Sequence, residues 1–298
     1  MALFRGVPMG LRLKFNLVLL AVFLAGFAVA GYISHDLLYR QARDRVLGEA
    51  RLVMEAALAI RGYTVAQVRP HLLEQLDKTF LPQTIPAFAA TETLAELHKK
   101  YPDYDYKEAT LNPTNPRDRA TDWEADIVNV FRNRAESHEI SGHRDTPTGP
   151  VLYIAHPIRI ESAACLGCHS TPDAAPVSML KVYGSANGFG WRLDEVVGAQ
   201  IVSVPMSVPL QNADQAFRTF MLSLAAVFVA VFAVLNLMLS WLIVRPVSRM
   251  SEVADKVSTG DFDQPEFPEK GRDEVAVLAS SFNRMRRSLE KAMQMIDG

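Results

Sequence analysis

TFMLSLAAVFVAVFAVLNLMLSWLIVRP, residues 219–246, divides this chain into its compartments. Residues 219–244 carry no charge, and Asn236 is the most polar side chain among them. About 20 apolar residues cross a bilayer as a helix, so the run is long enough to span and too long for an ordinary buried core helix. Trp241 lies near its end, and Arg245 and Arg249 follow, which places that end in the cytoplasm.

Upstream, FNLVLLAVFLAGFAVAGYI (15–33) is a second uncharged run of spanning length. Arg5, Arg12 and Lys14 precede it and no acidic residue does, so its N-terminal side is also cytoplasmic. Ala28-Val29-Ala30 resembles a small-residue cleavage site. The apolar run, however, exceeds the roughly 7–15 residues of a secretory signal and reads as an uncleaved anchor. The expected organisation is a cytoplasmic N-terminus (1–14), transmembrane helices at 15–33 and 219–244, an outer domain at 34–218 and a cytoplasmic module at 245–298. In a Gram-negative cell this is a two-pass inner-membrane protein, in contact with lipid, whose outer domain is periplasmic.

The bulk numbers agree. The chain has 298 residues, is 49% hydrophobic and carries 31 basic against 33 acidic residues, net −2. Its mean hydropathy is +0.06, rather high for a wholly soluble protein. A balanced charge carries no nucleic-acid footprint. Two cysteines build no disulfide framework and make at most one bridge.

Past Arg245 the chain turns amphipathic. Pro246 suits a first helical turn, where its missing N–H costs nothing. Val247, Met250, Ala254 and Val257 follow a 3-4-3 heptad seam, and Gly260 ends that helix. DFDQPEFPEKG (261–271) has two prolines and a glycine, so it is not helical throughout. Its Phe262 and Phe267 are expected to pack on the flanking helices. Asp273 and Glu274 open a second helix at the end its dipole favours. The seam of that helix is Val275, Leu278, Phe282, Met285, Leu289, Ala292 and Ile296. Each helix leaves its seam open, so burial calls for two copies in a homodimeric parallel four-helix bundle.

The membrane helix, the Arg-Pro exit, Gly-Asp-Phe after the first seam helix and Asp-Glu before the second resemble a HAMP domain over about residues 245–292. The resemblance implies relay of a conformational change from the membrane helix to an output. No output domain follows, so the expected output is a separate cytoplasmic partner. A generic dimerisation coiled coil is the simpler reading of the same heptads.

In the outer block, Ser34 to Arg61 reads as a continuation of the first membrane helix. Residues 72–116, with five prolines, read as loops and short helices. Arg117 to Arg134 reads as a helix with Trp123, Ile127, Val130 and Phe131 on one side. PVLYIAHPIRI (150–160) and GAQIVSVPM (198–206) read as strands. Helices first and an antiparallel sheet after give an α+β fold.

Between the two strands lies AACLGCHSTP (163–172), with both cysteines of the chain. Cys165-Leu166-Gly167-Cys168-His169 matches the C-x-x-C-H pattern of c-type haem attachment. Two thiols add to the two vinyl groups on one porphyrin edge, and the adjacent histidine turns under the ring to bind iron. A chance match in a chain of this length arises roughly one time in a thousand. Zinc would need about four ligands, usually from a second Cys or His pair, and the remaining histidines offer no close pair. A thioredoxin-like pair would open a helix in a βαβ unit, a pattern missing here. For the second axial ligand, methionine or histidine would be usual, and Met54, His71, His143, His156, Met179 and Met206 are the candidates. An open position would favour gas binding.

AIRGYTVAQVRP (59–70), FLPQTIPAFAA (80–90), YKEATLNPTNPRDRATDWE (106–124), LYIAHPI (152–158), CLGCHSTPDAAP (165–176) and YGSANGFGWRLDEVVGAQIVSVPM (183–206) together resemble the single-haem, PAS-like periplasmic sensor domain often joined to HAMP. The resemblance covers about residues 40–210. It implies a PAS-like antiparallel sheet, one covalent haem c, His169 as proximal ligand, and a redox or gas-sensing role. In relatives the distal ligand is a cysteine of the N-terminal helix, and this chain has no third cysteine. Met54 takes that place by its position on the corresponding helix. Trp191, Tyr153, Phe88 and Phe80 are the expected haem-contacting aromatics, with ordinary core packing as the simpler account of each.

The function expected from the sequence is a homodimeric, membrane-bound haem c sensor that signals through HAMP to a cytoplasmic partner. It is not expected to be an enzyme, since no nucleophile arrangement stands out. The rivals are an electron-transfer or accessory cytochrome subunit of a larger membrane complex and a haem-free ligand receptor.

Overall fold

The structure, a computed structural model, describes residues 10–76, 78–134, 136–147, 149–268 and 271–297. Arg5 and the side chain of Ile296 lie outside the described residues. The chain divides into two compact units, residues 36–216 and the combination of 1–35 with 217–298.

In the second of these units, helix α1 (Leu11–Tyr63) contributes the first apolar run. The second apolar run lies in a later helix, residues 207–238. The two pack antiparallel. Phe23 stacks on Phe228 with centroids 4.8 Å apart, Gly31 meets Met221, and the His35 ring stands edge-on to Phe217 at 5.5 Å. Both helices are long and apolar enough to cross a membrane, and most of their large apolar side chains face outward.

Two π-helical stretches interrupt these helices, Thr64–Val68 and Leu239–Val244. Each ends at an Arg-Pro pair. Arg69 N–H reaches Thr64 O and Arg245 N–H reaches Ser240 O, both steps of five residues. Pro70 and Pro246 have no N–H to give, and their rings crowd the carbonyl four residues back. The wider turn relieves that crowding. The sequence reading starts a fresh helix at Pro246; the structure instead carries the membrane helix through without a break.

The unit of residues 36–216 adds α2 (Arg69–Leu76), α3 (Pro86–Lys100), β1 (Asp105–Thr110), α4 (Asp122–Asn133), β2 (Ile140–Thr146), β3 (Gly149–Arg159), α5 (Ala163–His169), α6 (Val177–Tyr183) and β4 (Val196–Pro205). The four strands form one antiparallel sheet in the order β1-β4-β3-β2. Period-2 alternation sorts its two faces. Tyr106, Leu152, Ile154, Val202 and Val204 point to one face, where Val46, Ala50, Met54 and Ala57 of α1 and Ala90 and Leu94 of α3 cover them. Ala109, Ala155, Ala199 and Ile201 point to the other, against Ile127, Val128 and Phe131 of α4.

The α+β class holds, with corrections in detail. α3 is a 15-residue helix where loops and short helices were expected, and β1 and β2 are strands not anticipated. α4 begins at Asp122 rather than Arg117, because Thr121 and Glu124 form a capping box there. Val128, not Val130, joins its buried side.

β4 ends at Pro205 and α7 (Ser207–Met238) begins two residues later. Met206 between them is buried, and its N–H donates to Pro150 O at 2.8 Å. The C-terminal part comprises α8 (Arg245–Ser258) and α9 (Glu274–Asp297). Gly260, at φ +95°, follows the end of α8 as expected. Asn283, 1% exposed, takes the Phe267 N–H on Oδ1 and donates Nδ2 to Phe267 O, strapping the connector to α9. The rings of Phe267 and Phe282 meet edge-on. Leu278, Met285 and Leu289 remain exposed.

Candidate functional site

The motif cysteines sit on α5, capped by Ser162, whose Oγ accepts the Ala164 N–H at 3.2 Å. On a helix, positions i, i+3 and i+4 share one face. Cys165, Cys168 and His169 occupy those three positions, so the two thiols and the imidazole address the same side. Both thiols are free and half-buried. Burial pushes the Cys168 thiol up from its ordinary value, with Arg69 pulling the other way.

Three residues hold the His169 ring. Nδ1 lies 2.8 Å from Gly188 O, and Trp191 stacks on the ring at 4.0 Å with planes 14° apart. Thr114 Oγ1 lies 3.4 Å from the same Nδ1. A carbonyl only accepts, so Nδ1 carries the proton and the Nε2 lone pair of the neutral ring is free. Burial keeps the imidazole pKa below its ordinary value and so favours the neutral ring, against the opposing pull of the Gly188 carbonyl. The loop that supplies Gly188 and Trp191 closes back on α5: Gly190 N–H donates to Ser170 O and Trp191 N–H to His169 O. Gly188 has φ +83°, and a Cβ there would stand 2.8 Å from Thr114 Cα.

This donor set fits a c-type haem: two thiols one helical turn apart and an imidazole whose distal nitrogen is the available one. Beside it lies a buried ion pair. Arg61 of α1 donates to both carboxylate oxygens of Glu108 on β1, and the Tyr106 hydroxyl donates to Glu108 at 2.8 Å. Burial works against the Arg61 charge, and Glu108 and Tyr106 outweigh it, with a smaller contribution from Cys165. Burial and the Glu108 charge both push the Tyr106 phenol up.

Of the expected aromatics, only Trp191 is brought to His169. Phe80 stands edge-on to Tyr183, and Phe88 lies under the Arg117 guanidinium at 5.1 Å. Tyr153 points to the α4 face, beside Trp123 at 5.6 Å and over Gly142, on the opposite side of the sheet from Glu108 and Arg61. Met54 is fully buried, among Ala50, Ala57, Leu152, Ile154 and Val202. Met206 belongs to the same cluster. Met179 is buried on α6 and lies in neither core cluster. His71 and His143 are exposed, and His156 sits 3.4 Å from Glu139.

Asn112, Thr114, Gly188, Arg61 and Glu108 were not anticipated as site residues. Arg61 lies on a stretch that reads as helix, and NPTNP and GSANGFGW, which hold Asn112, Thr114 and Gly188, read locally as loop. Nothing in their spacing ties them to a histidine far along the chain.

A HAMP domain model matches residues 238–291. Sensor histidine kinase WalK of Bacillus subtilis (strain 168) is 31% identical over 123 residues, 41% of this chain. The chain spans about a fifth of that kinase's length. The crystal structure of the cyanobacterial haem protein Tll0287 aligns with a TM-score of 0.43 and 17% identity, over 54% of this chain and 95% of that one. The Tll0287-like model matches residues 39–205, more than half of the sequence and the whole span from Tyr39 on α1 to the end of β4, so the chain belongs to the Tll0287-like family and carries a HAMP domain after it.

Proposed function

We propose that the outer unit carries one covalent haem c, attached through Cys165 and Cys168 with His169 Nε2 as proximal ligand. The chain is then a two-pass inner-membrane sensor with its PAS-like haem domain in the periplasm. One observation carries the reading: Nδ1 of His169 is committed to Gly188 O while the free Nε2 shares a helix face with two unpaired thiols. Bound there, the haem supplies a redox couple and, at an open coordination position, an affinity for diatomic gases.

The residues of this chain provide the holder and the exit. Trp191 and Gly188 fix the imidazole plane. β4, hydrogen-bonded to both β1 and β3, passes through Met206 directly into α7. A shift of β4 reaches the membrane helix with no slack segment to absorb it, and α8 and α9 continue the path as a HAMP dimer. A coupling of this kind needs two arrangements biased by the haem. The similarity to a sensor kinase supports signalling to a cytoplasmic kinase-type partner over simple electron transfer.

The test is a spectrum of the full-length chain, ferric and ferrous, with and without CO or NO, beside a peroxidase stain on a denaturing gel. A stained band that disappears in the Cys165→Ser/Cys168→Ser variant is expected; an unstained wild-type band would sink the haem reading. Equal helix accessibility in the HAMP region for ferric and ferrous protein would sink redox signalling. Met54 is proposed as distal ligand on its helix position alone. Loss of a ferric methionine–iron charge-transfer band in Met54→Leu supports it, and its retention hands the role to another methionine.

A further inference from the structure

We propose that Asn112 is a positioning residue for the proximal histidine, fixing the peptide whose oxygen accepts the His169 Nδ1 proton. The proposal rests on the haem reading above and concerns a residue outside the attachment motif.

Asn112 lies two residues past the end of β1. Its Oδ1 accepts the Gly188 N–H at 3.3 Å, and its Nδ2 donates to Phe189 O at 3.3 Å. The amide therefore brackets the Gly188–Phe189 peptide unit. The carbonyl of that same unit, Gly188 O, lies 2.8 Å from His169 Nδ1. Gly188 sits at φ +83° within SANGFG, a stretch with two glycines. Such a backbone is free to rotate its carbonyl away unless something outside the loop prevents it.

The strap is rooted in the sheet. Leu111 N–H donates to Val197 O on β4, and Thr114, two residues beyond Asn112, bears on both His169 Nδ1 and the α-carbon of Gly188. Residues 111–114 thus transfer the rigidity of β1 and β4 to one carbonyl oxygen. A histidine that donates firmly through Nδ1 is a more basic ligand at Nε2, and basic ligands favour ferric over ferrous iron. Cutting the strap weakens that donation and moves the midpoint potential upward. A residue that only stabilised the loop would leave the potential of the folded protein where it was.

The experiment uses the full-length protein in detergent and compares wild type with Asn112→Ala, Asn112→Asp and Val128→Ala. The aspartate keeps an acceptor for Gly188 N–H and has no donor for Phe189 O, and covers the case in which alanine fails to fold. Val128 is fully buried on the other sheet face and serves as a destabilised control. Covalent haem content, thermal midpoint and midpoint potential are read on the same samples. The expected result is haem retained in all four and a positive shift in the Asn112 variants only. An unmoved potential in the haem-loaded Asn112 variants, or an equal shift in Val128→Ala, overturns the proposal alone. A wild type without covalent haem overturns the haem reading and this inference with it.

Discussion

Arg51 and Arg61 stand on one helix and bind opposite edges of one sheet. Arg61 pairs with Glu108 on β1, and Arg51 pairs with Glu139 at 2.7 Å, one residue before β2. Ten residues of α-helix rise about 15 Å. Three strand spacings of about 4.8 Å make about 14 Å. The helix that continues into the membrane therefore crosses the sheet with an ionic contact near each end, and Met54 and Ala57 lie over the apolar middle.

The two contacts differ in worth. Glu108 is 3% exposed, so Glu108→Ala leaves Arg61 without its buried partner and is expected to cost about 3–5 kcal/mol. Glu139→Ala removes a pair whose Arg51 is well exposed and is expected to cost measurably less. Urea unfolding of the full-length protein, followed by circular dichroism, checks the order; equal losses would show that burial does not set it.

Gly188→Ala strikes the His169 socket from the backbone side. The new Cβ meets Thr114 and sits at an unfavourable φ, so a loss of about 1–3 kcal/mol is expected. Haem incorporation should fall with it. Wild-type haem content and stability in this variant would mean that the loop relaxes without cost.

Asp118 supplies a pH signature. Burial pushes its carboxyl up to about 6, against the pull of Arg117 at 3.5 Å. A folded carboxyl that holds its proton longer than the unfolded one costs stability as pH rises from its ordinary 3.8 to about 6, with no further loss above. Asp118→Asn removes that loss. The variant should match wild type near pH 3.5 and exceed it at pH 7 by about 1–2 kcal/mol, after discounting for solvent screening. Glu49 and Glu139, held low by Tyr104 and Arg51, act with the opposite sign below about 4.5 and cancel in the difference. A difference that does not vary with pH would contradict the shift.

The exposed stripe of Leu278, Met285 and Leu289 on α9 is the surface expected to meet a second copy. Met285→Glu places a charge on it and should convert a detergent-solubilised dimer to monomer, read by light scattering. An undisturbed dimer would place the interface elsewhere.

Much of this molecule is legible one segment at a time. The two apolar runs, the heptads of α8 and α9 and the Cys165–Cys168–His169 spacing are local patterns, read from the composition of a contiguous stretch or from helical geometry. β1 escaped notice because DYKEAT is mostly polar: Glu108 lies inside the fold only because Arg61 neutralises it there. Tyr153 went to the other face because side chains alternate along a strand, and the partner that marks the face, Trp123, is 30 residues away.

What the sequence by itself determined is where the chain can cross a membrane, which helix faces are apolar, and that two thiols and an imidazole lie within five consecutive residues. The tertiary structure alone decided that the imidazole is fixed through Gly188, strapped by Asn112 and covered by Trp191. The reason is physical. A membrane span or a heptad is stabilised by residues a few positions apart, which a period reveals. The His169 socket joins residues 112, 169 and 188, which meet only after the sheet has docked their loops, and no local period records such a meeting.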